Sequence, residues 1–360
     1  MQLSEFLSQQ AEAMLLQQKP DGSFTAGHNG PYFDEETPVR NTAHWLFTFC
    51  ELYKRNGQQM FADGANKAAG YLLSSEARPM NASFWCRKIP KKDFCNGVMG
   101  QAWVLEALIK ASEVLNRDDC YELAEEVFKL HPWDAKLKVW RKVNVDGSFG
   151  SYDSTFNHQL WFGAVAGQLY KTDTAKKRSL AFFEAIGKNV ELYPNGVVFH
   201  ASPFLHHSVF TLNVFEAVKA LRQKRKINRD KKKMWHKSAG YHAFNLYAYC
   251  LYRKHLPNHP FWESNKFNKM ISVINNEKFI NEQINNIYSY PYNPTGFEIA
   301  YTLETFYKGK TDEITWWINQ QNMQAENPQI SNEYIDKVTL QARIYELCRL
   351  DNNYKIKNSV

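Results

Sequence analysis

The chain has 360 residues, 44% of them hydrophobic, which is enough to bury a sizeable core, and its formal net charge is +7. No stretch approaches the roughly twenty apolar residues of a membrane-spanning helix, so we expect no membrane insertion. The six cysteines are scattered without Cys-x-x-Cys spacing, and several lie in apolar helical patterns, which indicates buried thiols in a reducing compartment.

The first predicted elements are two helices. Apolar residues at helical spacing predict an amphipathic helix at the start of the chain, which ends at a turn beginning with Lys19. This start has no basic segment followed by an apolar one, so it is unlike a secretion signal and we expect a cytoplasmic protein. A second helix is predicted from about Pro38 to Tyr53, with Thr37 as its N-cap.

Helical patterns continue along the chain, and strand-like alternation is almost absent. They cover approximately residues 59–75, 97–116, 119–130, 155–170, 174–189, 204–222, 237–254, 262–283, 294–307, 311–322 and 332–349. About twelve helices joined by short turns predict repeated helical hairpins, and no low-complexity linker divides the chain. We therefore expect a single all-α domain over residues 1–360, folded as an (α/α)6 toroid of six hairpins. An open α-solenoid is the alternative.

Polar clusters recur where predicted helices begin. Residues 21–24 and 146–149 both read Asp-Gly-Ser-Phe, and each precedes a helix whose first turns carry an Asn, a His and a Trp. The two aspartates fit the role of shaping Asp-Gly turns. In a toroid the starts of the inner helices face a common bowl, so these clusters converge in space. The cluster residues are Arg40, Asn41, His44 and Trp45 in the first helix, and Asn157, His158 and Trp161 in the second.

These clusters resemble segments of six-hairpin carbohydrate-active proteins. The resemblance is strongest to glycosylation-cluster proteins of the archaeal Q type, which are themselves similar to unsaturated uronyl hydrolases. It implies a sugar-binding cleft in an (α/α)6 toroid. The matching segments are residues 21–24, 27–32, 36–45, 96–103, 156–161, 241–247 and 293–298.

A second resemblance concerns the reaction. Residues 157–161 are similar to the Asn-His-x-x-Trp segment of toroidal alginate and heparin lyases. Residues 195–207 are similar to a heparinase stretch that reads Glu-x-Ser-Pro-x-Tyr-His, but His200 replaces the Glu and His206 the Tyr. We expect His207 and His242 to contact substrate together with the cluster residues.

The lyase-like interpretation assigns roles to three residues. Asn157 neutralises the carboxylate of a uronate so that the neighbouring C5 proton becomes acidic, and His158 removes that proton. Tyr241 protonates the leaving oxygen. The outcome is β-elimination or epimerisation of a uronate-containing oligosaccharide or polysaccharide. The alternative for the Asn-His pair is structural, with Asn157 as a helix cap and His158 as a hydrogen-bonded residue at the helix start.

Two other functions remain open. A glycoside hydrolase needs two carboxyl groups, and Asp153 with Glu36 is the best pair, although Glu36 also fits a helix cap. Glu298 fits a capping box in Thr295-Gly296-Phe297-Glu298. The third possibility is a non-catalytic protein that binds or assembles glycans.

The charged residues favour an anionic sugar over other partners. Arg40 suits a carboxylate ligand, and its alternative is a salt bridge to Asp34, Glu35 or Glu36. The basic run at residues 222–233 is predicted to be a mobile surface element. No nucleic-acid-binding motif accompanies the positive charge. No metal-ligand spacing and no nucleotide motif occurs, so we expect neither metal nor cofactor.

Overall fold

The computed structural model describes residues 1–202, 218, 225, 229, 231–325, 327–350 and 354–357, and this part of the chain is mostly helical. The α-helices are α1 (Leu3–Leu15), α2 (Val39–Asn56), α3 (Gln59–Leu72), α4 (Gly97–Leu115), α5 (Asp118–Leu130), α6 (Phe156–Ala166), α7 (Asp173–Glu184), α8 (Ile186–Asn189), α9 (His242–His255), α10 (Asn265–Ile271), α11 (Glu277–Ile284), α12 (Thr295–Phe306), α13 (Thr311–Gln324) and α14 (Lys337–Ala342). Residues 231–240 are also helical. Short 3-10 helices span Gly30–Tyr32, Pro260–Glu263, Ser272–Asn275, Asn332–Tyr334 and Arg343–Arg349.

Six of these segments form a closed inner ring. Each contacts the next in the order α2, α4, α6, α9 and α12, and the 3-10 helix Arg343–Arg349 contacts both α12 and α2. Outer helices pack behind them, with α3 against α2, α5 against α4, α7 against α6 and α13 against α12. This alternation of inner and outer helices is the (α/α)6 toroid that the sequence predicts.

The first and last described segments meet and complete the ring. Helix α1 contacts the 3-10 helix Arg343–Arg349, and the Leu3 amide donates to the Tyr354 carbonyl at 3.0 Å. The Met1 amino group donates to the Ile356 carbonyl at 3.1 Å, across 355 positions of sequence. The sixth hairpin is therefore assembled from both ends of the described chain.

Left-handed backbone conformations set the limits of two inner helices. Gly57 ends α2 with φ of +70°, and Asn96 and Gly97 introduce α4 with φ of +54° and +60°. Glycine and asparagine adopt this region at lower cost than other residues. Helix α2 begins at Val39, so Pro38 takes the N-cap position that we predicted for Thr37.

A small antiparallel sheet between α5 and α6 is not predicted by the sequence. Strand β1 (Trp133–Asp134) pairs with β2 (Val139–Val143), which pairs with β3 (Phe149–Tyr152). The predicted turn at Gly147, with φ of +82°, joins β2 to β3. None of these strands exceeds five residues, which is too short for a recognisable alternation. The sheet leads the chain directly into the Asp153 loop.

Some predicted helices are divided in the structure. Residues 262–283 form α10 and α11 with a 3-10 helix between them, because Ser264 and Asn276 each cap a new helix start. Residues 332–349 are likewise divided into α14 and two 3-10 helices. Most of the predicted helix at 204–222 and of the basic run at 222–233 lies outside the described residues. All six cysteines are buried and unpaired within the described part of the chain.

Candidate active site

The starts of the inner segments surround one cavity of ≈ 340 Å³. Helix N-termini carry partial positive charge, so this convergence favours an anionic ligand. Each inner segment contributes a lining residue close to its first position. These residues are Arg40 in α2, Gly97 in α4, Asn157 and His158 in α6, Tyr241 before α9, Asn293 before α12, and Arg343 in the last 3-10 helix.

An aspartate–histidine pair lies in the cavity wall formed by α6. Nδ1 of His158 is 2.7 Å from Oδ2 of Asp153, and the Thr155 and Val98 amides donate to the same carboxylate at 3.1 and 3.2 Å. Burial acts to raise the pKa of Asp153, but His158, the Thr155 amide and Lys142 outweigh it and the pKa is lowered. An ionised carboxylate at this place holds the proton on Nδ1, which leaves Nε2 of His158 as the basic atom.

Gly97 allows α4 to approach this pair closely. A Cβ atom at position 97 would lie 2.1 Å from Oδ2 of Asp153 and 3.0 Å from Nδ1 of His158. Both the left-handed conformation at position 97 and the lack of space for a Cβ atom there favour glycine. The start of α4 is therefore shaped around the Asp153–His158 pair.

Two further carboxylates in the lining are held by cations. Asp93 bonds to Arg87 at 2.8 Å and to Lys142 at 2.9 Å. Burial opposes ionisation of Asp93, but these partners lower its pKa to about 2. Asp34 bonds to Arg87 at 3.2 Å and to Lys92. Both carboxylates are therefore already neutralised by neighbours.

Asn157 is a buried lining residue whose side-chain amide makes no hydrogen bond to the described residues. The residue is 1% exposed and lines the cavity, and neither its Oδ1 nor its Nδ2 has a hydrogen-bond partner among the described residues. A buried polar group without a partner costs about 1–3 kcal/mol. We infer that a ligand supplies the missing hydrogen bonds.

Arg40 lines the cavity but is already paired. Its Nη1 atom is 3.2 Å from Glu36 and 3.1 Å from the side-chain oxygen of Asn29, and its guanidinium lies 4.3 Å from the Trp103 ring centre. The salt bridge to Glu36 that the sequence left open is therefore present. Burial raises the pKa of Glu36 to about 7 despite Arg40. Glu36 is not among the described residues that line the cavity with Asp153.

Aromatic and basic side chains form another part of the lining. Tyr241 and Tyr32 share a hydrogen bond of 2.9 Å between their hydroxyls, and burial raises the pKa of both well above the usual value. The Lys237 ammonium lies 4.7 Å from the Tyr32 ring centre. Nδ1 of His200 has no partner among the described residues. Burial, with the charges of Lys237 and His158, lowers the pKa of His200 well below its usual value.

Arg343 contributes to the lining but is neutralised from within the ring. It donates to Glu298 at 2.8 Å, to Glu346 at 2.9 Å and to the side-chain oxygen of Asn293 at 2.9 Å. Burial raises the pKa of both glutamates. The predicted capping box at Glu298 is wrong, because its carboxylate is directed to a buried guanidinium that needs a counter-ion.

Three predicted binding residues in α2 do not line the cavity. Asn41 donates to a backbone carbonyl at 2.9 Å, His44 stacks on Tyr345 with ring centres 4.3 Å apart, and Trp45 is in the core. Successive helical residues point in different directions, so the neighbours of Arg40 face away from the cavity. His44 lies on the same helix face as Arg40, but one turn further along α2.

Three other predicted residues also fall outside the described lining. Trp161 is buried and stacks on Phe244 with ring centres 4.9 Å apart. His242 is fully buried, and its two ring nitrogens bond to a backbone amide at 3.2 Å and a backbone carbonyl at 3.1 Å. Both nitrogens are occupied, so His242 is a structural residue. His207 lies outside the described residues.

Sequence reasoning also missed residues that line the cavity. Lys92 and Asp93 precede the start of α4, and this repeats the pattern of polar residues before a helix that identified the other clusters. The remaining ones lie in loops, in the sheet or on neighbouring helices, where no local pattern distinguishes them. The missed residues are Asn29, Arg87, Lys92, Asp93, Lys142, Lys237 and Tyr292.

Two features are absent from the described residues. They contain no group of three or more His, Cys, Asp or Glu side chains that could hold a metal ion. Over the same ranges, no helix combines the length and the apolar character needed to cross a membrane.

Comparison with solved structures defines the class of fold. D-mannose isomerase is 11% identical, with 96% of this chain and 98% of that one covered and a TM-score of 0.59. Cellobiose 2-epimerase from Spirochaeta thermophila is 10% identical, with 96% of both chains covered and a TM-score of 0.58. An unsaturated glucuronyl hydrolase specific for heparin gives the same identity, coverage and TM-score. These similarities show the (α/α)6 toroid.

Comparison of sequences then identifies the family. No family model matches the chain. Archaeal glycosylation protein Q of Haloferax volcanii is 39% identical, with 97% of this chain and 98% of that protein covered. The chain belongs to the family of archaeal glycosylation protein Q.

Proposed function

We propose that this protein is a carbohydrate-active enzyme that removes a proton beside the carboxylate of a uronic acid unit. The reaction gives β-elimination or epimerisation in an anionic oligosaccharide or polysaccharide. The observation that carries the proposal is the Asp153–His158 pair in the wall of the cavity. The name of the relative, a glycosylation protein, supports a glycan as the substrate.

The first step assigns roles to three neighbouring residues. Nε2 of His158 takes the proton from the sugar carbon, and Asp153 stabilises the imidazolium that forms. A positioned general base of this kind contributes about 10²–10⁴-fold in rate. The unpartnered amide of Asn157 donates to the substrate carboxylate, whose oxygens gain negative charge as the proton leaves.

The second step needs a proton donor. Tyr241 suits this role because burial raises its pKa, so its phenol stays protonated at neutral pH. In elimination Tyr241 protonates the leaving oxygen, and its hydrogen bond to Tyr32 offers a route for proton replacement. In epimerisation a proton returns to the opposite face of the same carbon, and Tyr241 is available in the lining as its donor.

A glycoside hydrolase that uses Asp153 and Glu36 is the second candidate function. The pKa of Glu36, raised to about 7 by burial, suits a general acid, and this observation favours it. However, Glu36 is bound to Arg40 and lies behind the lining, so the salt bridge must open before Glu36 reaches substrate. A protein that only binds or assembles glycans is the third candidate.

One experiment separates these functions. The protein is incubated with uronate oligosaccharides in D₂O, while ultraviolet absorbance, deuterium incorporation and reducing ends are followed. Elimination gives an absorbing product, epimerisation gives deuterium at the reacting carbon without absorbance, and hydrolysis gives reducing ends alone. Absence of all three on every uronate substrate refutes the enzymatic proposal in favour of binding.

Substitution of His158 tests the proposed base directly. We expect His158→Ala to lower turnover about 10²–10⁴-fold. His236→Ala is the matched control, because His236 also bonds to a carboxylate, Glu282 at 3.1 Å, but is exposed and not a lining residue. Turnover that survives His158→Ala but is abolished by Asp153→Asn favours the hydrolase instead.

A further inference from the structure

The cationic side chains in the cavity differ in how they are neutralised. Six of them line it within the described part of the chain, and five have a carboxylate partner there. Those five pairs are Arg40 with Glu36, Arg87 with Asp34, Lys92 with Asp34, Lys142 with Asp93, and Arg343 with Glu298. The sixth, Lys237, has no carboxylate within ion-pair distance among the described residues. Lys237 is thus the cation of this lining that has no carboxylate partner among the described residues.

Aromatic rings surround the uncompensated ammonium. Nζ of Lys237 lies 4.7 Å from the ring centre of Tyr32, 5.8 Å from that of Tyr241 and 5.9 Å from that of Tyr288. Ring faces attract a cation but do not neutralise it, because they carry no net charge. Burial, with the charge of Lys92, lowers the pKa of Lys237 to about 8. The ammonium therefore remains mostly protonated at neutral pH, and its own surroundings do not balance it.

The ammonium of Lys237 points to a ligand with negative charge. A single ammonium complements a single negative charge, such as the carboxylate of a uronic acid. Among the described residues, the titratable groups that face Lys237 are Tyr32, Tyr241, Tyr288, Lys92 and His200. None of these is an anion at neutral pH.

Lys237 also lies in the neighbourhood of the proposed base. The ring centre of His200 lies 4.7 Å from that of Tyr241, and Nζ of Lys237 lies 5.8 Å from the same Tyr241 ring centre, so Lys237 and His200 are both beside one tyrosine of the lining. A carboxylate held by Lys237 is then bound in the cavity whose wall also carries His158. The sequence assigned this role to Arg40, but Nη1 of that guanidinium already pairs with Glu36.

We propose that Lys237 is the residue that binds the substrate carboxylate and gives the site its preference for uronates over neutral sugars. This proposal rests on the proposed function, because it concerns a ligand of the same cavity. The positive charge also stabilises the additional negative charge that the carboxylate oxygens acquire as the proton is removed.

The test measures binding in a background without turnover. In the His158→Ala protein, NMR titration compares methyl β-D-glucuronide with methyl β-D-glucoside, and methyl α-D-galacturonide with methyl α-D-galactoside. Lys237→Met is expected to lower uronate affinity about 10-fold or more, since a hydrogen bond to a charged group contributes about 1.5–3 kcal/mol. Lys237→Arg is expected to retain most of that affinity because it keeps the charge.

Lys233→Met is the matched control. Lys233 lies one helical turn before Lys237, is exposed, and loses the same charge on substitution. It should leave both affinities unchanged, and circular dichroism verifies that each variant is folded. The proposal is overturned if Lys237→Met weakens uronate and neutral sugar equally, if it weakens neither, or if the parent protein does not prefer uronates. The turnover of His158 variants tests the proposed reaction separately, so the two failures are distinguishable.

Discussion

Replacing Gly97 by alanine is expected to disrupt the Asp153–His158 pair without altering either side chain. The new Cβ atom would lie 2.1 Å from Oδ2 of Asp153, well inside van der Waals contact, so the carboxylate has to move. Gly57 provides a matched control because its φ of +70° is close to the +60° of Gly97, but no atom lies within 4 Å of its Cβ position. Both substitutions bear left-handed strain, whereas only Gly97→Ala adds a steric clash.

The expected losses of unfolding free energy differ enough between the two variants to be measured. Left-handed strain costs about 1–2 kcal/mol, and loss of a hydrogen bond to a charged acceptor adds about 1.5–3 kcal/mol. We therefore expect a loss of about 2.5–5 kcal/mol in unfolding free energy for Gly97→Ala and about 1–2 kcal/mol for Gly57→Ala, measured by urea denaturation. Turnover of Gly97→Ala should fall about 10²-fold, as expected for a displaced catalytic group. Equal stability losses in the two variants, or full turnover of Gly97→Ala, would refute this account of the site.

Three further predictions concern other residues of the cavity. Asn157→Ala should weaken uronate binding in NMR titrations without lowering the unfolding free energy, because the buried amide has no partner to lose among the described residues. Affinity for uronates should decline as pH rises through about 8, the lowered pKa of Lys237, while affinity for neutral sugars stays constant. Asp93→Asn should destabilise the protein at neutral pH. Because the folded pKa of Asp93 is lowered to about 2, its contribution is present above the unfolded pKa of about 3.9 and lost as pH falls towards 2, so denaturation curves of the two proteins should converge there.

The helical pattern was sufficient to predict the toroid because outer helices such as α3 and α5 keep one buried face, while inner helices such as α4 and α6 are buried on nearly every side. The recurrence of polar residues at helix starts also located the cavity end of the ring. Arg40, Asn157, His158, Tyr241 and Asp153 all line the cavity in the structure. Their common position follows from topology, since inner helices that run in the same direction bring the same ends together.

The sequence did not reliably predict which side chains of a polar cluster face the cavity. A cluster such as Arg40-Asn41 contains residues that point in different directions, and only the three-dimensional ring shows which of them faces the cavity. His44 and His242 are polar residues near helix starts, as His158 is, yet they pack against Tyr345 and against backbone groups. Ion pairs between distant segments, such as Lys142 with Asp93, leave no trace in local sequence.

The ion pairs around the cavity determine which charges remain available to a ligand. Arg343 lies near the first turns of the inner helices, and two buried glutamates neutralise it, so its charge does not reach outward as a free cation. Asp34 and Asp93 are likewise balanced by neighbouring cations. Among the described residues, what remains is the positive ends of the inner helices and the ammonium of Lys237, which has no carboxylate partner there. A ligand with negative charge satisfies this remainder, whereas a neutral ligand leaves it exposed in a partly desolvated cavity, where an unpaired charge is expensive.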